Sequence, residues 1–206
     1  MLMNRVESAL IDSGPRRLLQ HYEASLLAKL GGRTPGAHVA ELGCGPGYGT
    51  QLILDTFGAA SVDAVDLDPT MLAKARGRLE RHGERVYLAR GSATDLATAF
   101  APVAGGKDAS YDAVFDFAII HHIPNWRLAL AEVARVLTPG GRFFFDEVTA
   151  TALARPTYKA LFEHPTQGRF SAGEFLAELP RHGLRVGESW RTRIGGDYLL
   201  GVATRI

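Results

Sequence analysis

Four glycines at alternate positions connect a predicted buried strand to a predicted helix. They lie in VAELGCGPGYGTQLIL, residues 39–54, at Gly43, Gly45, Gly47 and Gly49. The apolar residues before them predict a strand over 37–42, and the apolar spacing after them predicts a helix over roughly 47–57. A glycine-rich turn lets the backbone approach a ligand that a Cβ atom would block, at an entropic cost that a purely structural turn does not need. The turn therefore predicts a ligand-binding site.

Strand and helix patterns continue to alternate along the chain. The further predicted strands cover 61–67, 85–90, 111–120 and 141–148. The further predicted helices cover 69–83, 126–137 and about 171–182. Strands separated by helices of this length pair in parallel through right-handed crossovers. The pattern predicts an open α/β sheet with helices on both faces.

The end of the sequence has a different pattern. LRVGESWRTRI and DYLLGVATRI are joined by Gly195-Gly196, which predicts an antiparallel hairpin. With the hairpin, the prediction is a Rossmann-like, seven-stranded, mostly parallel sheet. Outside this alternation, residues 4–33 are predicted to form one or two helices interrupted by Gly14-Pro15. Residues 149–170 are predicted to form a partly helical linker.

The composition limits the classes of function. With 206 residues, 46% of them hydrophobic and 22% charged, the chain has the composition of one globular domain, and its net charge of +1 gives no footprint for nucleic acid or membrane. A single cysteine, Cys44, excludes an intramolecular disulfide and a cysteine-based zinc site, and no metal site is predicted. The N-terminal residues do not form a secretory signal, and no apolar run approaches the ~18 residues needed to span a bilayer, so we expect a cytoplasmic protein.

The residues around the turn narrow the choice of ligand. The dinucleotide pattern G-x-G-x-x-G fails, because its last position is Tyr48 when counted from Gly43 and Thr50 when counted from Gly45; this disfavours a nucleotide-dependent oxidoreductase. The sequence also lacks the G-K-[ST] of a P-loop. Asp66 ends the second predicted strand, where an acid can bind ribose hydroxyls, and Glu41 is better placed beside a cation than beside a pyrophosphate. An adenosine ligand with a cationic part, such as S-adenosylmethionine, fits these residues.

Three segments together resemble a known family. VAELGCGPGYGT, VDAVDLDPTMLAKAR and YDAVFDFAIIHHIPNWRLALAEVARVLTPGGRFFF are similar, in this order, to motifs of class I S-adenosylmethionine-dependent methyltransferases. The third is most similar to the small-molecule branch, which includes ubiquinone and menaquinone methylases. The resemblance covers roughly residues 37–148 and implies S-adenosyl-L-methionine as the cofactor.

The resemblance also implies which residues bind the cofactor. Asp66 would bind the ribose, Leu67 would lie against the adenine, and Phe117 would lie near the methionine part. At Ser92 the family usually has an acid that reaches the adenine; either Ser92 makes a neutral hydrogen bond or Asp95 replaces the contact. The implied set is Glu41, Gly43, Cys44, Gly45, Gly47, Asp66, Leu67, Ser92, Ala93 and Phe117, with Cys44 as a small residue that fills the turn.

Candidates for the acceptor side follow the fourth and fifth predicted strands. His121 and His122 are candidates for a catalytic base, although adjacent residues in a regular element cannot both face a pocket, and loop packing or helix capping is the alternative. One of Asp146 and Glu147 is a candidate for contacting the acceptor. The flanking segments carry basic residues that fit an anionic or polar-headed acceptor and are equally well explained by surface solvation: Arg16, Arg17, Arg155, Lys159 and Arg169. Flanking residues that could cover the pocket are His21, Tyr22, Tyr158, His164 and Arg169.

The predicted function is methyl transfer to a small-molecule acceptor, with release of S-adenosylhomocysteine. A protein of the same fold that binds the cofactor without turnover is the alternative. A nucleic-acid methyltransferase is disfavoured, because there is no basic stripe and FAIIHH stands where an Asn-Pro-Pro-Tyr type of tetrapeptide would follow the fourth strand. The predicted single domain over 1–206 divides into an N-terminal helical cover (4–33), a cofactor-binding core (37–148), a substrate-side linker (149–170) and a C-terminal helix and hairpin (171–206).

Overall fold

The computed structural model describes residues 12–103, 106–161 and 164–206, apart from the side chains of 160 and 161. The N-terminal part of the predicted helical cover, up to residue 11, lies outside the described residues. The strands are β1 (His38–Leu42), β2 (Ser61–Asp66), β3 (Val86–Arg90), β4 (Tyr111–Phe117), β5 (Leu137–Val148), β6 (Leu184–Arg185), β7 (Trp190–Arg193) and β8 (Tyr198–Arg205).

The strands form one mixed sheet in the order β3-β2-β1-β4-β5-β8-β6, with β7 also paired to β8. β1 to β5 are parallel, and β8 runs antiparallel between β5 and the two short strands β6 and β7. Within the described part of the chain there are eight strands in seven positions, because β6 and β7 divide the last edge position between them. The Rossmann-like sheet and its antiparallel C-terminal hairpin are confirmed.

Helices surround this sheet. They are α1 (Gly14–Gly31), α2 (Tyr48–Leu52), α3 (Pro69–Leu79), α4 (Leu96–Ala99), α5 (Trp126–Val136), α6 (Ala150–Leu153), α7 (Pro156–Leu161) and α8 (Ala172–Glu178). None of the helices in the described segments is both long and apolar enough to cross a membrane.

The hydrophobic core has two layers, one on each face of the sheet. Because side chains alternate along a strand, Phe143 and Phe145 of β5 lie in one layer and Phe144 between them lies in the other. The first layer also contains Trp126 of α5, and the second contains Leu27 of α1. Helices therefore cover both faces, and the strand ends remain available for a site.

Several boundaries differ from the predictions for local reasons. β4 ends at Phe117 and not near residue 120, because Ala118 has a left-handed backbone (φ 63°) and a 3-10 turn, Ile120–His122, follows it. The predicted helix after the glycines continues beyond α2 as a π-helical turn, Ile53–Phe57.

Proline and glycine positions account for two other differences. Gly14-Pro15 stands at the start of α1, and Ser13 caps this helix by accepting a hydrogen bond from Arg16 N at 3.3 Å; the part of the prediction before Gly14-Pro15 lies almost entirely outside the described residues. β5 begins at Leu137, earlier than predicted, because the Thr138–Gly141 segment is taken into the strand through a register shift against β4.

Candidate active site

A cavity of about 440 Å³ opens at the carboxyl ends of the parallel strands. One side, here called the glycine half, is lined by residues from the turn after β1 and the ends of β2 and β3: Glu41, Gly43, Cys44, Gly45, Asp66, Leu67, Ser92 and Ala93. The other side, the histidine half, is lined by residues from α1, β5, α7, β8 and the segments after β4 and α7: Arg16, Glu23, His121, His122, Asp146, Tyr158, His164 and Tyr198. Phe117 also lines the cavity.

Asp66 and Gly45 shape the glycine half together. Gly45 has a left-handed backbone (φ 53°), and no heavy atom lies within 4 Å of the position that a Cβ atom would occupy. The Asp66 carboxylate accepts hydrogen bonds from the backbone N–H of Gly45 at 2.7 Å and of Asp68 at 2.8 Å. Each carboxylate oxygen keeps a further lone pair, so Asp66 holds the turn and can still accept from hydroxyl groups in the cavity.

Glu41 is a buried acid at the base of the turn. Its side chain accepts a hydrogen bond from the Thr50 hydroxyl, and Gly49 leaves the space that it occupies. Burial raises the pKa of Glu41 to about 8, with the charges of Asp66 and Asp116 adding to the effect. A cation bound beside Glu41 would compensate for this burial.

The other predicted residues of the turn have separate places. Gly43 packs against Ile119, and buried Cys44 fills the turn as a small residue. Gly47 does not line the cavity; it faces Ala75 of α3, where a Cβ atom would lie 3.0 Å from the Ala75 backbone. Leu67 lines the cavity with 44% of its surface exposed.

The two alternatives at the end of β3 lie in different surroundings. Ser92 and Ala93 line the cavity, whereas Asp95 does not. The Asp95 carboxylate caps α4 by accepting from Thr98 N at 3.1 Å. Asp68 caps α3 in the same way, with Thr70 N at 2.7 Å.

His121 is oriented by a buried carboxylate. Its Nδ1 lies 2.7 Å from Glu147, whose side chain also accepts from the backbone N–H groups of Ile120, His121 and Val148 at 2.6, 3.1 and 3.2 Å. Burial raises the pKa of Glu147 to about 7. Burial and the charge of Arg16 lower the pKa of His121 to about 3. The neutral imidazole can donate Nδ1–H to Glu147, which leaves the Nε2 lone pair available.

Both adjacent histidines line the cavity, so the expectation that only one can face it was wrong. The reason is that His121 and His122 lie in a 3-10 turn and not in a strand; their ring centroids are 4.2 Å apart. His164 approaches from the other side, with centroids 4.7 Å from His122 and 5.3 Å from His121. Burial lowers the pKa of His122 and lowers that of His164 to about 4.

Charged groups of α1 and β5 complete the histidine half. Arg16 donates to Glu23 at 2.6 Å; Glu23 and Asp146 are 3% and 2% exposed. Burial, with the neighbouring charge of Glu23, raises the pKa of Asp146 well above its usual range. Of the two acids at the end of β5, Asp146 therefore faces the cavity, and fully buried Glu147 orients His121 from the opposite face.

Of the five flanking candidates, two line the cavity and three do not. Tyr158 and His164 line the cavity, and Tyr158 shares a hydrogen bond with Tyr198. His21, Tyr22 and Arg169 do not line it: His21 is exposed, Tyr22 packs under Arg193, and Arg169 donates to Pro165 O at 2.9 Å.

Glu23 and Tyr198 line the cavity although the sequence predictions did not include them, and Arg16 had stood out only as one of several basic residues in the flanks. Arg16 and Glu23 are seven residues apart, which places them on one face of a helix, and this spacing was the signal that could have indicated their pairing. Two of the basic flanking residues are paired with acids: Arg16 with Glu23, and Arg155 with Asp197 at 2.7 Å.

The chain is similar in sequence and in fold to known proteins. Residues 39–141 match the family described as methyltransferase domain. A probable S-adenosylmethionine-dependent methyltransferase of Mycolicibacterium smegmatis is 36% identical over 115 residues, which cover 56% of this chain and 39% of that protein. A fatty-acid O-methyltransferase of the same organism is 33% identical over 138 residues, which cover 64% of this chain and 44% of that protein.

The chain thus spans about two fifths of the length of these curated relatives. Among solved structures, a SAM-dependent methyltransferase from Aquifex aeolicus superposes with a TM-score of 0.71 at 18% identity, covering 97% of both chains. At this identity the likeness shows a shared fold over essentially the whole length.

Proposed function

The chain belongs to the methyltransferase domain family, and from this premise we propose that it binds S-adenosyl-L-methionine and transfers the methyl group to a small-molecule acceptor. Bound there, the cofactor supplies an electrophilic methyl group on a positively charged sulfur, which leaves as S-adenosylhomocysteine. The protein's contribution is then orientation, exclusion of water and handling of the acceptor's proton.

The glycine half has the groups that this cofactor requires. The Asp66 carboxylate would accept from both ribose hydroxyls while it holds the Gly45 N–H. The open space at Gly45 would let the ligand approach the main chain of the turn closely. Glu41 would lie on the cationic side, and Leu67, Ser92 and Ala93 would surround the adenine.

The histidine half would receive the acceptor. His121 and His122 line it, and either imidazole could take a proton from an acceptor nucleophile, with Glu147 positioning His121. Phe117 would separate the two ligands near the methionine part of the cofactor. A small acceptor suits a cavity of about 440 Å³ with buried walls better than nucleic acid does.

The observation that carries the proposal is the pairing of Asp66 with Gly45 at one wall of the cavity. Calorimetric titration with S-adenosylmethionine and S-adenosylhomocysteine tests it, with Asp66→Ala and Asp95→Ala compared. Loss of two hydrogen bonds to a charged acceptor, about 1.5 kcal/mol or more each, should weaken binding about 100-fold in Asp66→Ala.

Asp95→Ala is the matched control, because Asp95 caps α4 outside the cavity. It should lower the free energy of unfolding by about 1 kcal/mol and leave the affinity for S-adenosylhomocysteine unchanged. If the unchanged chain binds neither ligand, or if both variants weaken binding equally, the proposal fails. Once binding is established, transfer of a labelled methyl group to a panel of small carboxylic acids, phenols and amines distinguishes an enzyme from a non-catalytic binder.

A further inference from the structure

The three histidines of the cavity gather more nitrogen lone pairs than proton transfer needs, since one imidazole is enough for a general base. One ring nitrogen from each of His121, His122 and His164 lies within 4.8 Å of the others. The rings come from two separate segments, the turn after β4 and the segment before α8. We propose that these three histidines bind one divalent transition-metal ion of the Zn²⁺ class.

The spacing of the nitrogens is close to what such an ion requires. Three nitrogens bound to Zn²⁺ at ~2.0–2.1 Å and tetrahedral angles lie roughly 3.4 Å from one another. From separations of at most 4.8 Å, each side chain has to move inward by less than about 1 Å. Imidazole nitrogen is a ligand that Zn²⁺, Co²⁺ and Ni²⁺ accept well.

Glu147 gives His121 the support that a metal-binding histidine usually has. Metal-binding imidazoles commonly donate their second ring N–H to a carboxylate, which fixes the ring and its tautomer. Here Nδ1 lies 2.7 Å from Glu147, so Nε2 is the nitrogen left for a metal. Glu147 is itself held by three backbone N–H groups, and the Nδ1–Glu147 contact is therefore a fixed part of the fold.

The surrounding charges are compatible with a cation. Two basic side chains act on the cluster: Arg16, near His121, is paired with Glu23 at 2.6 Å, and Arg169, near His164, donates to Pro165 O at 2.9 Å. Asp146 lines the same half of the cavity. Three neutral nitrogen ligands leave at least one coordination position of a tetrahedral ion for a further ligand. That position would face the cavity, because all three rings line it.

The consequence for the acceptor rests on the proposed methyl-transfer function. A cation at this place would favour small acceptors that carry an anionic or ionisable oxygen, such as hydroxy acids or enols, over uncharged amines. The metal site itself does not depend on that function, and it can be tested without cofactor or acceptor.

The test uses the full chain without a histidine tag, stripped with a chelator and titrated with Zn²⁺ by calorimetry and with Co²⁺ by visible absorption. One ion per chain should bind with micromolar or tighter affinity, and Co²⁺ should give the absorption bands of nitrogen coordination. His164→Ala should weaken Zn²⁺ binding at least 100-fold. Glu147→Gln should weaken it about 10- to 100-fold, because His121 loses its positioning partner.

His182→Ala is the control, since His182 lies 3.3 Å from Glu178 and outside the cavity; it should bind Zn²⁺ like the unchanged chain. If thermal unfolding shows that His164→Ala is destabilised, His164→Gln, which keeps a polar side chain of similar size, replaces it. Acetohydroxamate, an anionic oxygen chelator, should shift the Co²⁺ bands by entering the open position.

Absence of saturable binding in the unchanged chain, or undiminished binding in the His164 variants, would overturn the metal site. Binding of S-adenosylhomocysteine measured on the same samples separates this result from the methyl-transfer proposal. A chain that binds S-adenosylhomocysteine but not Zn²⁺ refutes only the metal site, and one that binds Zn²⁺ alone refutes only the cofactor.

Discussion

The two halves of the cavity are built in different ways. The glycine half uses backbone geometry and residues that end neighbouring strands, so Asp66 reaches Gly45 within a single crossover. The histidine half uses charged and aromatic side chains from segments far apart in the chain, such as Arg16, His164 and Tyr198. The first half is therefore rigid through hydrogen bonds of the main chain, whereas the second depends on pairs such as Arg16–Glu23. Four predictions test this difference.

The largest effect is expected in the glycine half, from Gly49→Ala. A Cβ atom there would overlap with Glu41 Oε1 and lie 2.8 Å from Phe117 Cδ2, so both side chains have to move. We expect a loss of about 2–3 kcal/mol in the free energy of unfolding, and S-adenosylhomocysteine affinity lowered more than tenfold. Urea unfolding and calorimetry measure the two effects.

Gly77→Ala is the matched control, because Gly77 lies in α3 with no heavy atom within 4 Å of its Cβ position. It should raise stability by about 0.5–1 kcal/mol, since alanine is the better helix residue. Equal shifts in the two variants would contradict the assignment of Gly49 as a site glycine.

In the histidine half, Arg16→Met should destabilise the fold without a comparable loss of cofactor affinity. The substitution leaves Glu23 and Asp146 buried without their cation, at a cost of about 2 kcal/mol, which is less than for a typical broken buried pair because Asp146 can take up a proton. Burial already raises the pKa of Asp146, and loss of the Arg16 charge raises it further in the folded state, which then binds more protons than the unfolded state; stability should therefore fall as pH rises above the ordinary titration range of a carboxyl.

Arg17→Met is the comparison for this variant. Arg17 lies 3.5 Å from Asp12, and the two side chains are 43% and 26% exposed, respectively. Loss of this exposed ion pair should change the free energy of unfolding by less than about 0.5 kcal/mol. A similar cost for both variants would remove the distinction between the buried and the exposed pair.

The third prediction concerns the glycine half and the pH dependence of its affinity for S-adenosylmethionine. With its pKa at about 8, Glu41 is mostly protonated at pH 7, and a cationic ligand favours the charged form. Affinity for S-adenosylmethionine should therefore rise by up to about tenfold between pH 7 and 9, with release of a proton on binding. The comparison uses a variant at Glu41 itself, which leaves the groups that act on this carboxyl unchanged: Thr50, Asp66 and Asp116.

That variant is Glu41→Gln, in which the added pH dependence should disappear. Calorimetry in buffers of different ionisation enthalpy measures the released proton directly. The same slope of affinity against pH in both chains would exclude Glu41 as its source.

The smallest effect is expected from Tyr158→Phe, which removes one hydroxyl from the Tyr158–Tyr198 hydrogen bond in the histidine half. It should cost about 1 kcal/mol of stability and change S-adenosylhomocysteine affinity less than twofold. Thermal unfolding compared with Tyr22→Phe, whose ring is 49% exposed, provides the check. A large loss of cofactor affinity would mean that the two halves are not separable.

Much of the glycine half could be predicted from the sequence, because its signals are local. The turn, the acid at the end of β2 and the cap at Asp68 all follow from residues close together in the chain. Strand periodicity also implied that Asp146 and Glu147 face opposite sides, although it did not indicate which one faces the cavity.

The histidine half could not be predicted to the same extent. His164 meets His121 only through the tertiary fold, and no spacing in the sequence indicates that contact. The 3-10 turn that brings His121 and His122 to the same side depends on the left-handed backbone of Ala118, which donates its N–H to Asp146 O at 2.7 Å. An alanine gives no sequence signal for a positive φ angle.

The position of β8 has a consequence for synthesis of the chain. β8 lies between β5 and the short strands β6 and β7, and its pairs with β5 extend from Arg142↔Thr204 to Val148↔Tyr198. While the chain leaves the ribosome, β5 therefore keeps an open edge until residues 198–205 are available. During that interval the parallel strands can already assemble, but the unpaired edge of β5 is where a chaperone, or a neighbouring nascent chain, can bind in place of β8.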